Sequence, residues 1–443
     1  MSSQVHEDAT RLEDLDQLVE FMAAGGKPVD RWVIGTEHEK LGWWPDRGAP
    51  PDYHDPRGIG ALMESLADTA GWMATREGPD IIALARDKAT LTLEPGGQFE
   101  LSGAPLRTLV ETERELDAHF AEMTAHSAAL GIEWSGLGLM PWGTPEQMPM
   151  MPKARYGILD AHLRAHGTLG IHMMRQTCTV QANYDYANEE DAFEKFRLAI
   201  YLQPFVMAAF ANSPVVDGTL VPEKTYRGRI WGATDPVRCV LPERFLAPGA
   251  TFSDYVDWAV DIPLLFIHRD GEYLDCGGLS LRTFMEEGWR GHQASVGDYA
   301  LHLSTLFPEV RLKQHLEVRA ADMGDRDQIL ALPALHAGLL YDDQARRDAL
   351  ALLTRFEPST WRTLWGAVPR HALSAQVDGI SLRDIGVDLV NLARAGLSRW
   401  EPGSERMLDR LANDVSAGRC PADQIRDEYT GDPAALLARS RVC

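Results

Sequence analysis

The chain reads as an α+β protein: an antiparallel β-sheet with helices gathered on one side, followed by a helical C-terminal region. Three observations predict this. Strand-like segments do not alternate regularly with short helices, which disfavours a doubly wound parallel sheet. Several of these segments alternate polar and apolar residues, the pattern of a strand with one working face and one packed face. From about residue 326 to the end, the apolar periodicity is helical almost throughout.

In chain order, a helix is expected over 11–24, stopped by Gly25 and Gly26. VIGTEHEKLGW follows as a strand with Glu37 and Glu39 on one face and His38 on the other. LTLEPGGQFELSG carries Glu94 and Glu100, and Pro95-Gly96-Gly97 bulges or bends the strand between them. A helix over 105–130 begins at Pro105 and ends at Gly131. The Pro- and Gly-rich segment 136–155 predicts a long functional loop that covers the substrates. TCTVQANYD is a strand with Thr177, Thr179, Gln181, Asn183 and Asp185 on one side, and Cys178 on the apolar side. Asn188 caps a helix over 188–211 that Pro204 kinks. PEVRLKQHLEVRAAD reads as one long strand with Glu309, Arg311, Lys313, His315, Glu317 and Arg319 in a row. The remaining helices include QILALPALHAGLL, ARRDALALLTRF and LRDIGVDLVNLARAGL. No linker interrupts the chain, so residues 1–443 are expected to form a single domain, with a sheet-containing core over about 15–325 and a mainly helical region over about 326–443.

Charge narrows the partners. The 443 residues include 65 acidic and 43 basic side chains, a net charge of −22, which repels phosphate backbones and anionic lipids. No nucleic acid and no membrane partner is expected. The longest apolar run, LAIYLQPFVMAAFA, is too short to span a bilayer. The polar, acidic N-terminus lacks the character of a leader peptide, and the five scattered cysteines have no C-x-x-C spacing. Both observations point to a cytoplasmic protein.

The polar strand faces carry the chemistry. Adjacent carboxylates on one face repel by ~1 kcal/mol at contact in water and several-fold more in a partly closed site. A cation compensates for that, and oxygen ligands with a few amides suit Mg2+ or Mn2+ rather than zinc. Arg311, Lys313 and Arg319 on the same surface suit phosphate oxygens. No Walker A loop, dinucleotide fingerprint, H-E-x-x-H or G-x-S-x-G is present. The pattern is that of a sheet-borne metal and polyphosphate site.

These residues also carry a resemblance. IGTEHEKLGW, LEPGGQFELSGAPL, MPKARYGIL, TLGIHMMRQTCTVQANYDY, FANSP, TLFPEVRLKQHLEVRAAD and ALPALHAGLLYDD resemble the plant-type glutamate–cysteine ligases, from about residue 15 to about 430. The resemblance implies a glutamine-synthetase-like catalytic fold, a curved antiparallel sheet with helices on its convex side. It also implies the first step of glutathione synthesis, in which ATP, L-glutamate and L-cysteine are the substrates and γ-glutamyl phosphate is the intermediate. A sister ligase using another amine, and a non-catalytic homologue, are the alternatives. By position, Glu37, Glu39, Glu94, Glu100, Gln181 and Glu317 are the implied metal ligands. Arg155 and Arg227 would hold glutamate carboxylates beside Trp231. Lys88, Arg311 and Arg319 would bind the nucleotide, with Arg319 and Lys313 as catalytic groups. A monomer or homodimer is expected. Plant members carry regulatory disulfides; Cys276 matches one such cysteine, but MEEGWRGHQA supplies no partner, so no disulfide switch is expected.

Overall fold

The computed structural model describes residues 8–443. Residues 1–7, part of the segment read above as lacking a leader, lie outside the described residues.

Among the described residues, nine strands form the central sheet. They are β1 (Ile34–Trp43), β2 (Met73–Glu77), β3 (Asp80–Arg86), β4 (Ala89–Leu93), β5 (Phe99–Ser102), β6 (Glu133–Ser135), β7 (Val180–Tyr184), β8 (Val310–Leu312) and β9 (Leu316–Val318). Their spatial order is β8-β9-β7-β1-β5-β4-β3-β2, with β6 added against the far end of β1. Every pairing is antiparallel. Antiparallel neighbours directly opposite each other share a face, so the register fixes which side chains meet.

One face packs on helices. His38 sets its ring against His119 and Phe120 of α1 (Leu109–Ala128). Tyr184 lies against His336 of a later helix, Arg326–Leu340, and its hydroxyl donates to the Pro333 carbonyl at 3.1 Å. The expected structural role of His38 follows: burial, then the Lys40 charge, hold its imidazole well below the usual range. The C-terminal region is helical as expected, with segments 343–353, 358–371, 382–400, 409–417, 421–428 and 433–439. Its packing is continuous with the sheet's own core.

Several boundaries differ from expectation. The first helix is only Asp16–Ala23. Helix α1 starts at Leu109 rather than Pro105, because Thr108 and Glu111 form a capping box that satisfies the first backbone amides. Asn188 does cap the next helix, Glu189–Ala209, by accepting from the Asp191 amide, and the helix includes Pro204.

Two strands expected to run on are hairpins. Pro95-Gly96-Gly97 reverses the chain completely, joining β4 to β5, with Gly97 at φ 87°. The expected long strand over 309–319 folds back at Lys313–His315, so that Arg311 faces Glu317 across the β8–β9 pair. Alternation survives both reversals, because partners in register keep the same face.

Segment 136–155 is packed rather than free. Leu137, Leu139, Met140, Met148 and Met151 are buried, and the Gly138 amide donates to the Asn212 carbonyl at 3.1 Å. A Cβ on Gly138 would come within 2.5 Å of the Asp322 side chain, so this connection is pressed against its neighbours. The segment is therefore a packed connection rather than a free loop, and it delivers α2 (Arg155–His166) to the polar face.

Candidate active site

The other face of the sheet is polar and only partly covered. A cavity of about 130 Å3 lies on it. Glu37, Glu39, Glu94, Glu100, Gln181, Arg311, Glu317 and Arg319 line it from the sheet, and Arg155, Tyr156 and Leu159 from α2. Leu265, Phe266, Ser304, Thr305 and Phe307 close the remaining side.

Register explains this convergence. Glu39 lies opposite Glu100 across β1–β5, and Glu37 opposite Gln181 across β1–β7. Asn183 lies opposite Glu317 across β7–β9, and Glu317 opposite Arg311. Glu94 stands at the mouth of the β4–β5 turn, where its amide donates to the Gln98 carbonyl. Four strands and one turn thus place their charged side chains on one surface.

The surface is divided electrostatically. On one half are Glu39, Glu94 and Glu100. Glu39 accepts from the Thr179 amide at 2.9 Å, and Glu100 from the Thr92 hydroxyl at 2.6 Å. Among the described residues, none of these three carboxylates has an ion-pair partner. Burial, reinforced by Glu94 and Glu100, pushes the Glu39 carboxyl well above the usual range. Burial, then the charges of Glu37 and Glu94, raise Glu100 to about 7. Glu37 bridges the halves, accepting from the Asn183 amide nitrogen at 2.6 Å.

On the other half cations outnumber anions. Glu317 is fully buried and accepts from Arg311 Nε at 2.6 Å, Arg311 Nη2 at 3.0 Å and Arg319 Nη1 at 3.0 Å. Lys313 Nζ lies 3.4 Å away. Burial opposes ionisation of Glu317, but Arg311, Lys313 and Arg319 overcome it and hold the carboxyl well below the usual range. Arg319 also donates to Gln181 Oε1 at 2.6 Å, while its Nε is buried without a partner.

The implied metal set is therefore not one set. Among the described residues, no three acidic, histidine or cysteine side chains converge closely enough to hold an ion. Glu317 and Gln181 are engaged by arginine. The donors of Glu39, Glu94 and Glu100 remain, all oxygen and mutually repelling, and this chemistry fits a hard divalent cation.

Four further residues stand differently from expectation. Lys88 is exposed in the β3–β4 turn at φ 71° and is not among the residues that line the cavity. Arg227 is 2% exposed and spends its guanidinium on the carbonyls of Ala320 at 3.0 Å and Arg319 at 2.8 Å. It stacks at 4.5 Å over Trp231, whose indole donates to the Phe307 carbonyl at 3.0 Å. Both support the wall rather than line it. Arg311 lines the cavity, but its Nη1 also serves the carbonyls of Leu303, Ser304 and Leu306, so its donors are committed to the protein. Arg155 lines the cavity, whereas Lys313 is not among the lining residues and is held beside Glu317.

Sequence reasoning passed over Tyr156, Leu265, Phe266 and Phe307. Only Tyr156 left a signal, as Arg155's neighbour in MPKARY; its hydroxyl donates to the Leu93 carbonyl, tying α2 to β4. The five cysteines are unpaired, and Cys178 is buried, with its thiol pushed well up by that burial.

Comparisons with known proteins identify the family and the fold. The model of glutamate–cysteine ligase family 2 matches residues 33–438. The chloroplastic glutamate–cysteine ligase of Brassica juncea is 37% identical over 420 residues, covering 94% of this chain and 81% of that protein. That of Solanum lycopersicum is 38% identical, covering 94% and 80%. Among solved structures, glutamate–cysteine ligase of Francisella tularensis in complex with AMP superposes with a TM-score of 0.57 at 12% identity, covering 92% of this chain and 88% of that one. A bifunctional glutathione synthetase from Pasteurella multocida gives 0.50 at 13% identity, covering 96% and 52%. These structures share the fold. The curated relatives are chloroplast proteins, a finding that overturns the cytoplasmic assignment. Cysteine usage reports whether a compartment is reducing, not which compartment it is.

Proposed function

This chain belongs to glutamate–cysteine ligase family 2, and from that premise we propose that it joins the side-chain carboxylate of L-glutamate to the amine of L-cysteine at the expense of ATP, the first step of glutathione biosynthesis. The observation that carries this reading is the division of one sheet face into a half whose carboxylates, Glu39, Glu94 and Glu100, have no ion-pair partner among the described residues, and a half with surplus positive charge around Glu317.

A glutamate side-chain oxygen attacks the γ-phosphorus of ATP, and ADP departs. The cysteine nitrogen then attacks the carbonyl of γ-glutamyl phosphate, inorganic phosphate leaves, and the amine proton passes to solvent. Such a reaction rests on positioning and charge neutralisation. Arg319, which lines the cavity, faces the transferring phosphoryl group, and Lys313, 3.4 Å from Glu317, adds positive charge beside it. Arg155, at the start of α2, holds a glutamate carboxylate. Glu39, Glu94 and Glu100, with Glu37 at their edge, would hold Mg2+ or Mn2+ once their side chains draw together around the ion, which would supply charge neutralisation to the polyphosphate. Leu265, Phe266 and Phe307 exclude water from the acyl phosphate. A volume of about 130 Å3 suits the reacting groups, with the adenosine lying beyond it. The chain works as one catalytic unit, 1–443, because the C-terminal helices share the sheet's core.

Phosphate release measured with ATP, glutamate, Mg2+ and a panel of amines tests the reading. Cysteine should give the highest kcat/KM. Preference for another amine would make the chain a sister ligase, and no release with any amine would refute catalysis.

A further inference from the structure

Lys153 is a buried cation that the mechanism above does not use. It is 7% exposed, and its ammonium forms no hydrogen bond or ion pair among the described residues. Its one ring contact is with Tyr156, at 5.5 Å. The other lysines buried to this degree are provided for: Lys195 meets Asp191 at 2.8 Å, and Lys40 contacts His38 at 3.4 Å. A buried unpaired charge is costly, and folds retain one where a partner arrives later.

The position of Lys153 is built. The Met151 amide donates to the Pro95 carbonyl at 2.9 Å, fastening the segment to the β4–β5 turn. The Ala154 amide donates to Glu77 at 2.7 Å, and the Tyr156 amide to the Lys153 carbonyl at 2.9 Å. Lys153 is thereby held between these anchors, beside three residues that line the cavity: Arg155, Glu94 and Glu100. Burial, then the like charge of Arg155, lowers its amine to about 8. Glu94, Glu100 and Glu77 lend Lys153 negative charge from nearby, but among the described residues none of them closes a direct ion pair or hydrogen bond with its ammonium.

We propose that Lys153 is a further anion-binding residue of this site, its ammonium taking a substrate oxyanion, either a carboxylate or a phosphoryl oxygen. The inference rests on the proposed function for the identity of those substrates.

Lys153→Met and Lys153→Gln, each checked for folding by thermal melting, are compared with the wild type in initial-rate kinetics. A tenfold or greater rise in KM for glutamate, with KM for ATP within twofold, is the carboxylate outcome. A tenfold or greater rise in KM for ATP or fall in kcat is the phosphoryl outcome. Both parameters within twofold in a folded variant would overturn the proposal and leave Lys153 as a counter-charge to Glu94. Should neither variant fold, amine acetylation of the wild type followed by mass spectrometry decides. Glutamate or a non-hydrolysable ATP analogue should slow labelling of Lys153 at least fivefold while leaving exposed Lys88 unaffected; equal rates would overturn it. Protection without turnover would refute the proposed function and leave this inference standing.

Discussion

Replacing Arg311 by methionine separates a structural arginine from a nucleotide-binding one. Arg311 makes two hydrogen bonds to the buried Glu317 carboxylate, at 2.6 and 3.0 Å, and three to the carbonyls of Leu303, Ser304 and Leu306. Removing one partner of a buried ion pair costs about 3–5 kcal/mol. Orphaned carbonyls add to this at about 1 kcal/mol each, but Arg319 and Lys313 still face Glu317, so a total of about 3–5 kcal/mol is expected for Arg311→Met. Glu317→Leu alone should cost about 3 kcal/mol by stranding Arg311. The double variant should be less destabilised than the sum by at least ~2 kcal/mol, because it removes both charges together. Guanidinium unfolding at pH 7 measures all four corners of the cycle. A cost below ~1 kcal/mol for Arg311→Met, together with a raised KM for ATP, would refute the assignment and restore Arg311 as a phosphate ligand. Glu317 adds a pH signature. Its folded carboxyl lies well below the usual range, so its stabilisation is present above the unfolded value near 4.5 and lost as pH falls towards the folded value. The Glu317 variants should flatten that acid limb.

Other expectations follow from the same surface. Glu39→Gln and Glu100→Gln should each lower ligase activity at least ~100-fold, an order expected when electrostatic stabilisation at a phosphoryl group is lost. Each should also raise the melting temperature of the metal-free protein, because a repelling buried carboxylate is removed; unchanged activity in both would refute their role. Glu309 has one buried oxygen without a partner, and its carboxyl is raised to about 7 by burial, against the charge of Arg227. Its ionisation opposes folding between the unfolded value and about 7, so Glu309→Gln should be more stable than wild type at pH 8 by on the order of 3 kcal/mol. The gain should vanish near pH 4.5, and a pH-independent difference in urea unfolding would contradict it. Lys88→Gly should leave KM for ATP unchanged and stabilise the β3–β4 turn by up to ~1 kcal/mol, since a positive φ suits glycine; a raised KM would return Lys88 to the site.

Much of the site was legible because strand alternation has a strict period of two. Glu37, Glu39, Gln181, Glu317 and Arg319 could be put on working faces without knowing how the strands paired. What that reading lacked was register. The reversal at Lys313–His315 carries no Asn-Gly or Asp-Gly signature, so two short strands read as one, and Glu317 seemed a metal ligand rather than the partner of Arg311. The turn at Asp87–Lys88 is similarly unmarked, which left a turn lysine looking like a phosphate ligand. Arg227 was misplaced for another reason: its carbonyl partners at 319 and 320 are over ninety residues away, and no local pattern announces them. Lys153 was overlooked because a lysine shows its burial only in three dimensions.

The most direct test of the account is a coupled assay of ADP formation in which Mg2+, glutamate and cysteine are withheld one at a time. Sustained turnover is predicted only with all three present, with activity abolished by a chelator and restored by Mg2+ or Mn2+. Turnover that persists in the chelator, or that proceeds undiminished without glutamate, would contradict the reading of this sheet face as a cation and acyl-phosphate site.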